Sequence, residues 1–391
     1  MIKDETLDDI AQFTVAEFED RVAKVRKLLN SENLKVGVAY SSPHVPGDVQ
    51  YLTGYDTHIE CALVIITQDR VIPMGGAEGE AMFEDSGYLG EWRNLNSFEI
   101  PYQDYRDTRF WSLQESLTDL VGVDFGKVGL LTSLNTVPVD VYQHLQSVGD
   151  VVDVSWILRS SRYKKSVTEL SFYRRSSAIA TLAVRAMLDS IESGMTELEL
   201  AAIGDKRMKE LGAYSTGFET MVCSGRRINT IIGRASERRI EAGDMVLIGA
   251  SPRFRGYAST VGRTVVAGSP TLEQVEFLKH GVTALGLAAE QLFVGNAARN
   301  IDLAARNYLR SVGLEEYQVY GVGHGIGLSE CLEEKTATAL SDYDIGTGLA
   351  MMLDVGLFNH KDFHGARHED PYLVGEDGHV ERLTDLNVGA Y

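Results

Sequence analysis

Residues 243–264 read GDMVLIGASPRFRGYASTVGRT. Val, Ile, Leu and Thr dominate its two ends, while Gly, Ser, Pro and Arg fill its centre, a pattern typical of two strands joined by a turn. We therefore predict a strand pair within residues 220–266. Three further motifs follow along the chain: GVGHGIGL at 321–328, GLAMMLDVGLF at 348–358 and GARHEDPYLVGEDGHVERLT at 365–384.

These four segments, in this order and at these spacings, resemble the creatinase/prolidase/methionine aminopeptidase family. The resemblance covers most of the chain and implies the pita-bread fold for its C-terminal half. In the peptidases of this family, two divalent metal ions held by protein ligands generate a hydroxide near neutral pH. The expected fold class is an α/β N-terminal domain followed by an α+β pita-bread C-terminal domain of the creatinase/aminopeptidase type.

The pattern of helices and strands also indicates two domains. Apolar residues at helical spacing are followed by runs rich in Val and Ile, with one more helix before the last run. The first helix covers residues 15–29, the runs are 36–40, 61–67, 128–131 and 151–154, and the second helix is 139–147. We place the domains at 1–160 and 161–391.

The second domain is expected to begin with two long helices. Ser166 with Glu169, and Thr196 with Glu199, form capping-box patterns, and Gly194 is suited to end the first helix. Beyond them we predict the strand pair, a second pair of helices and a last group of strands. The helices lie within residues 271–312, and the strands are placed at 318–323, 349–358 and 368–374.

The resemblance, carried over residue by residue, leaves an incomplete set of metal ligands. It places the histidine ligand at His324 and the two glutamate ligands at Asp354 and Glu369. The two aspartate positions fall on Gly249 and Thr260, which cannot serve as aspartate ligands. We therefore expect that no dinuclear metal centre assembles and that the protein needs no cofactor.

The auxiliary groups of the peptidases are also replaced. The resemblance puts Ile232 where one assisting histidine stands and Cys331 where a second one stands. Creatinase, a member of the family that binds no metal, hydrolyses a C–N bond with a histidine and a glutamate, but those positions fall here on Ile232 and Gly262. These differences favour a metal-independent hydrolase of a C–N bond in a small polar molecule, creatinase-like in fold with a different site.

The catalytic candidates are His324, Asp354 and Glu369. A histidine between glycines is accessible to a ligand and suited to proton transfer near pH 7, although it also fits a packed relic of the fold. The carboxylates would orient it or bind a cationic part of the substrate. Arg367 shares a strand face with Glu369, as a clamp for substrate or as a structural ion pair, and Arg263 would support the site.

Further residues are candidates for binding substrate. Arg226 and Arg227 could receive an anionic group, or lie in solvent. Cys331 could be a nucleophile beside His324, or a small buried hydrophobe. The small residues at Gly249, Thr260 and Gly262 are expected to leave room that substrate fills.

Loop 54–60 is a candidate for completing the site across a homodimer interface, because the resemblance implies that this region reaches the partner's active site. Asp56 and His58 are its proposed contributors, with Glu60 beside them, and a solvated loop is the alternative. A separate metal site formed by three histidines is a weaker hypothesis. Those histidines are His360, His364 and His368.

Charge and composition exclude several classes of partner. The chain has 56 acidic and 37 basic residues and a net charge of −19, which argues against nucleic acid and anionic membranes. Three scattered cysteines and the absence of a signal-peptide pattern or an 18-residue apolar run predict a cytoplasmic protein. The expected partners are a small-molecule substrate and a second copy of the chain.

Two other functions stay open at this point. One is an Xaa-Pro metallopeptidase with a single metal on His324, Asp354 and Glu369, since three protein ligands and a water can make a catalytic site. The other is a catalytically inactive protein that binds a small molecule or a peptide.

Overall fold

The computed structural model describes residues 11–96, 105–122, 126–329, 333 and 335–387. The chain divides into two compact units, one spanning Gln12–Arg162 and the other beginning at Tyr163. No helix among the described residues is both long and apolar enough to cross a membrane.

The first unit is an α/β domain. Its elements are α1 (Val15–Ser31), β1 (Gly37–Ser41), α2 (Gly47–Thr53), β2 (Ala62–Ile66), β3 (Val71–Gly75), α3 (Ala77–Ser86), β4 (Arg93–Leu95), β5 (Phe110–Trp111), α4 (Leu113–Val121), β6 (Lys127–Leu130), α5 (Val139–Val148), β7 (Asp150–Asp153) and α6 (Trp156–Tyr163). The strands form one sheet in the order β5-β4-β3-β2-β1-β6-β7. Strand β2 pairs antiparallel with both β1 and β3, and all other pairs are parallel, so the sheet is mixed.

The second unit combines helix pairs with a large antiparallel sheet. Its elements are α7 (Val167–Ser190), α8 (Glu197–Glu210), β8 (Ser215–Thr216), β9 (Met221–Ser224), β10 (Met245–Ala250), β11 (Pro252–Phe254), β12 (Tyr257–Ala258), β13 (Val261–Val266), α9 (Leu272–Ala289), α10 (Arg299–Ser311), β14 (Gly323–Gly325), β15 (Thr336–Ala337), β16 (Leu349–His360), β17 (His364–Val374) and β18 (Val380–Arg382). Short 3₁₀ turns cover Gly225–Thr230 and Glu315–Tyr317. The large sheet runs β15-β14-β16-β17-β13-β10-β9, with β18 also paired to β17.

The predicted capping boxes are present at the starts of α7 and α8. Ser166 accepts a hydrogen bond from the Glu169 amide, and the Glu169 carboxylate accepts one from the Ser166 amide. Thr196 and Glu199 make the same reciprocal pair. These bonds satisfy amides that a helix start leaves without intrahelical partners. The local sequence therefore fixes where both helices begin.

The strand predicted at residues 318–323 is wrong, because β14 begins only at Gly323. Side chains form hydrogen bonds with backbone groups of the segment before β14, so this segment does not need to pair with a neighbouring strand. Arg306 donates to the carbonyls of Gln318 and Tyr320, and the Gln318 carboxamide oxygen accepts from the Gly356 amide. A bridge from Gln318 to Leu357 and the hydrogen bond from the Asp354 amide to the Val322 carbonyl connect this segment to the sheet.

Candidate functional site

One row of residues crosses five strands of the large sheet. Met221 pairs with Gly249, Gly249 with Gly262, Gly262 with Glu369, and Glu369 with Asp354. Directly paired residues of antiparallel strands point to the same face. The row therefore brings two carboxylates together beside two positions that carry no side chain.

Arg367 joins the two carboxylates. Its Nη2 lies 2.7 Å from Oε2 of Glu369 and 2.9 Å from Oδ2 of Asp354. The exposed fractions of the Arg367, Asp354 and Glu369 side chains are 5%, 6% and 0%. One buried cation thus serves two buried carboxylates, so the three formal charges do not cancel.

His324 lies on β14 and faces the same cluster. Its Nε2 is 3.5 Å from Oε1 of Glu369, an oxygen that has no hydrogen-bond partner among the described residues. Its Nδ1 is 3.1 Å from the carbonyl oxygen of Gly325. Both neighbours are acceptors, so a neutral imidazole donates to only one of them and the protonated ring donates to both. The His324 side chain is 16% exposed, so one side of this pair is open to a ligand.

Tyr320 completes the cluster, and sequence reasoning missed it. Its hydroxyl donates to Oδ1 of Asp354 at 3.0 Å. Gly356 is the sequence signal for this contact, since a Cβ there would collide with the Tyr320 hydroxyl. Tyr320 and Arg367 therefore hold the two oxygens of Asp354 from different sides.

The surroundings shift the pKa values of Asp354 and Glu369 in opposite directions. Burial raises the pKa of Asp354, and the neighbouring Glu369 adds to the rise, although Arg367 and His324 oppose it. Burial also acts to raise the pKa of Glu369, but Arg367 and His324 outweigh it and lower the pKa. Neighbouring carboxyls with opposite shifts are a recurring arrangement in acid–base sites.

The space expected beside Gly249, Thr260 and Gly262 is largely filled by neighbouring side chains. A Cβ at Gly249 would lie 2.6 Å from Cε of Met221, and one at Gly262 would lie 3.0 Å from Cβ of Glu369. Met221 is 1% exposed, so its methyl group fills space that an aspartate at 249 would need. The Thr260 hydroxyl donates to the buried Ser251 hydroxyl at 3.0 Å. The expectation that substrate fills this room is therefore corrected.

Arg263 lies on the other face of the sheet. Its Nη2 pairs with Oδ1 of Asp370 at 2.7 Å and donates to the Leu386 carbonyl at 3.2 Å. Its Nη1 donates to the Glu369 carbonyl at 3.0 Å. Arg263 thus supports the backbone beneath Glu369, and the structure does not bring it together with the Glu369 carboxylate.

Arg226 and Arg227 have different surroundings. Arg226 is exposed, whereas Nε of Arg227 lies 2.9 Å from the fully buried Glu197 carboxylate. Glu197 also accepts hydrogen bonds from the amides and hydroxyls of Ser224 and Ser236. Arg227 therefore braces the loop between β9 and β10, and Arg226 is the arginine of this pair that is open to an anion.

The remaining candidates are not assembled with the cluster. Cys331 lies outside the described residues. Asp56 is half-buried and His58 is exposed, and both lie in the first unit. The structure describes one chain, so their contribution across an interface stays a prediction.

The three histidines of the hypothetical separate metal site are not brought together. His360 pairs with His364 at the end of the β16–β17 hairpin and stacks on Phe363, with ring centroids 4.9 Å apart. His368 is fully buried against α9, and burial lowers its pKa to about 3. Four residues of extended strand put His368 roughly 13 Å from His364 along β17.

Among the described residues, no three or more His, Cys, Asp or Glu side chains are grouped so that they could hold a metal ion. His324 approaches Glu369, but both oxygens of Asp354 are directed to Tyr320 and Arg367. The three residues considered as a single-metal site are therefore neighbours in one cluster without forming a ligand set.

Comparisons with known proteins agree on one family. The model of metallopeptidase family M24 matches residues 171–376, just over half of the chain. An Xaa-Pro dipeptidase from Pyrococcus horikoshii is 30% identical over 335 residues, covering 83% of this chain and 92% of that protein. An uncharacterized peptidase from Bacillus subtilis is 27% identical over 335 residues, covering 85% of this chain and 89% of that protein.

Solved structures with the same fold extend over nearly the whole chain. The crystal structure of the prolidase from Pyrococcus horikoshii matches with a TM-score of 0.81 at 24% identity, covering 94% of this chain and 99% of that one. An X-Pro aminopeptidase from Thermotoga maritima matches with a TM-score of 0.80 at 21% identity, covering 95% and 99%. These likenesses confirm the predicted fold class, with its α/β N-terminal domain and pita-bread C-terminal domain. Together with the match of the family model, they show that this chain belongs to metallopeptidase family M24.

Proposed function

We propose that this chain is a hydrolase that cleaves the C–N bond of a small dipeptide-like molecule, with Xaa-Pro dipeptides as the first class to test. The Xaa-Pro dipeptidase from Pyrococcus horikoshii, matched over most of its length, supports this substrate class. The comparisons thus favour an Xaa-Pro peptidase over the creatinase-like hydrolase of a small polar molecule that the residue replacements suggested. They leave open whether a metal takes part.

The observation that carries the proposal is the cluster around Glu369. His324 faces one oxygen of this buried carboxylate, and Arg367 neutralises the other. His324, which is partly buried, is the group best suited to transfer a proton near neutral pH. Glu369 would orient the imidazole and stabilise its charged form.

The residues do not fit the dinuclear metal centre of the family. Gly249 and Gly262 offer no donor atoms in the row, and the Thr260 hydroxyl is directed to Ser251. A guanidinium already lies between Asp354 and Glu369, where it would repel a cation. We therefore favour a reaction in which the protein's own groups do the chemistry.

The proposed step uses water as the nucleophile. The water oxygen forms a bond to the carbonyl carbon while its proton passes to the pair formed by His324 and Glu369. The C–N bond then breaks, and the same proton passes from His324 to the leaving nitrogen. The products are a carboxylic acid and an amine, and His324 returns to its starting form.

A single-metal Xaa-Pro peptidase is the second candidate. The approach of His324 to Glu369 and the names of the relatives favour it, and Asp354 is the remaining carboxylate of the cluster. In this case a divalent ion must first displace the Arg367 guanidinium. A cytoplasmic homodimer stays part of the proposal for both candidates, and analytical ultracentrifugation tests the dimer.

The test is hydrolysis of a panel of Xaa-Pro dipeptides, with dipeptides lacking proline and creatine for comparison. We expect turnover by chelator-treated protein, at a rate that added Mn²⁺, Co²⁺ or Zn²⁺ does not raise. A His324→Gln variant should lose about 10²–10⁴-fold in kcat. His379→Gln, at an exposed position, is the matched control and should keep full activity.

Each alternative predicts a different result. Activity that appears only after metal is added would replace the metal-independent step with the single-metal one. Thermal stabilisation by a dipeptide without product would identify a binding protein. Turnover by His324→Gln at the unmodified rate would remove His324 from the mechanism.

A further inference from the structure

We infer that Met221 and Arg367 together occupy the place of the metal ions, so that a packed side-chain pair closes the cluster to divalent cations. This inference rests on the metal-independent part of the proposed function and names the residues responsible for it. It concerns binding and stability, which can be measured whether or not a substrate is found.

Met221 and Gly249 pack closely together. Met221 stands at one end of the row, and the glycine beside it lets the methionine methyl group lie where a side chain at 249 would begin. Met221 belongs to the largest hydrophobic cluster of the second unit and is 1% exposed. A methionine chain is flexible enough to fill such an irregular gap.

Arg367 carries the positive charge of the cluster. The two buried carboxylates need a counter-charge, and Arg367 supplies it through one nitrogen shared between them. Nη1 of the same guanidinium lies 3.8 Å from the Met221 sulfur. The guanidinium is therefore held by the carboxylates on one side and covered by the thioether on the other.

The packing of Met221 and its contact with Arg367 both depend on Gly249. A side chain at this position would push the Met221 methyl away from its seat and disturb the cover over Arg367. Conversely, shortening Met221 opens the space that a side chain at 249 needs. Position 249 should therefore tolerate alanine better when residue 221 is small.

The packing claim is tested by a double-mutant cycle followed by thermal unfolding. We expect Gly249→Ala to lower Tm in the parent protein and to lower it clearly less in a Met221→Ala background. Met245→Ala, a buried methionine on the same strand as Gly249, is the control background and should not rescue Gly249→Ala. Equal losses in all three backgrounds would overturn the claim.

The electrostatic claim is tested by adding MnCl₂ or CoCl₂ to chelator-treated protein. The parent protein should show no change in Tm. Arg367→Gln leaves Asp354, Glu369 and His324 without their cation, and it should gain a metal-dependent rise in Tm of about 3 °C or more. A quadruple variant with Met221→Ala, Gly249→Asp, Thr260→Asp and Arg367→Gln should gain a larger rise.

The outcomes separate this inference from the proposed function. A metal-dependent rise of equal size in the parent protein and in Arg367→Gln would overturn the inference, even if dipeptides are hydrolysed. No rise in the parent and a clear rise in Arg367→Gln would support it, even if no dipeptide is hydrolysed. If neither Arg367→Gln nor the quadruple variant responds to metal while circular dichroism shows both folded, the inference is also overturned.

Discussion

Strand β17 carries a buried ionic cluster on each of its faces, and the two clusters have opposite charge balance. On one face, Glu369 and Asp354 share Arg367. On the other face, Asp370 is shared by Arg263 and Arg382 at 2.7 Å each. The first cluster has one carboxylate too many, and the second has one guanidinium too many.

This difference distinguishes a cluster that suits a reaction from a cluster that supports the fold. Arg263 and Arg382 give further hydrogen bonds to backbone carbonyls, so the surplus of positive charge is spread over fixed acceptors. The surplus carboxylate oxygen of Glu369 faces a partly exposed histidine instead. A buried carboxylate beside a partly exposed histidine suits proton transfer, whereas buried guanidinium groups bonded to backbone carbonyls suit a scaffold.

Removing the shared cation of the site face should have the largest effect. Arg367→Leu leaves two carboxylates buried without a counter-charge, and we expect it to lower the free energy of unfolding by about 3–5 kcal/mol. Arg382→Leu is the matched variant on the other face, where the guanidinium is a third exposed, and it should cost about 1 kcal/mol. Urea denaturation measures both. Equal losses would mean that the two clusters do not differ as described.

Neutralising one carboxylate on each face should affect the two clusters differently. Asp370→Asn leaves two neighbouring guanidinium groups without their shared anion and should cost about 2 kcal/mol. Asp354→Asn relieves repulsion from Glu369 and should cost less than about 1 kcal/mol. The same urea experiment compares them. A larger loss for Asp354→Asn would contradict the assigned charge balance.

Removing the Tyr320 hydroxyl should have an intermediate effect. Tyr320→Phe deletes the buried hydrogen bond to Asp354, and we expect a loss of about 1–2 kcal/mol in the free energy of unfolding. Tyr308→Phe, which removes a bond to His280 on the helix pair α9 and α10, is the control and should cost less. Thermal unfolding by calorimetry distinguishes the two, and a greater loss for Tyr308→Phe would argue against Tyr320 as part of the cluster.

The smallest effect is expected at the exposed arginine of the β9–β10 loop. Arg226→Gln should change the free energy of unfolding by less than about 0.5 kcal/mol, because its side chain is in solvent. Arg227→Gln should cost about 1 kcal/mol, since Glu197 loses a charged donor. If Arg226 receives an anionic part of the substrate, Arg226→Gln raises KM without lowering kcat.

Local signals and the family resemblance predicted much of the fold. Ser166 and Thr196 begin helices because capping depends on neighbours three residues away, which a sequence displays directly. Alternation along one strand likewise placed Arg367 and Glu369 on a common face. Applied to the neighbouring strand, the same alternation puts Arg263 and Gly262 on opposite faces.

The occupants of the cluster could not be predicted in this way. Met221 reaches Arg367 only because four successive strand registers align it with Asp354, and one of them, Gly262 with Glu369, pairs residues more than 100 positions apart. Tyr320 contacts Asp354 from an irregular segment whose backbone is held by Arg306 and Gln318. The replaced ligand positions showed what was missing from the site, but not what had moved into it.

The Leu386 carbonyl accepts hydrogen bonds from both Arg263 and Arg382, which ties the end of the described chain to the back of β17. Thr384 and Asp385 extend this attachment to α7 through Thr181 and Arg185. A protease that trims the chain before residue 384 would therefore loosen the strand that carries Glu369 without touching the cluster itself. Amide exchange along β17 should respond to such trimming, so the stability of the strand that carries Glu369 depends on residues 384–386 as well as on its sheet neighbours.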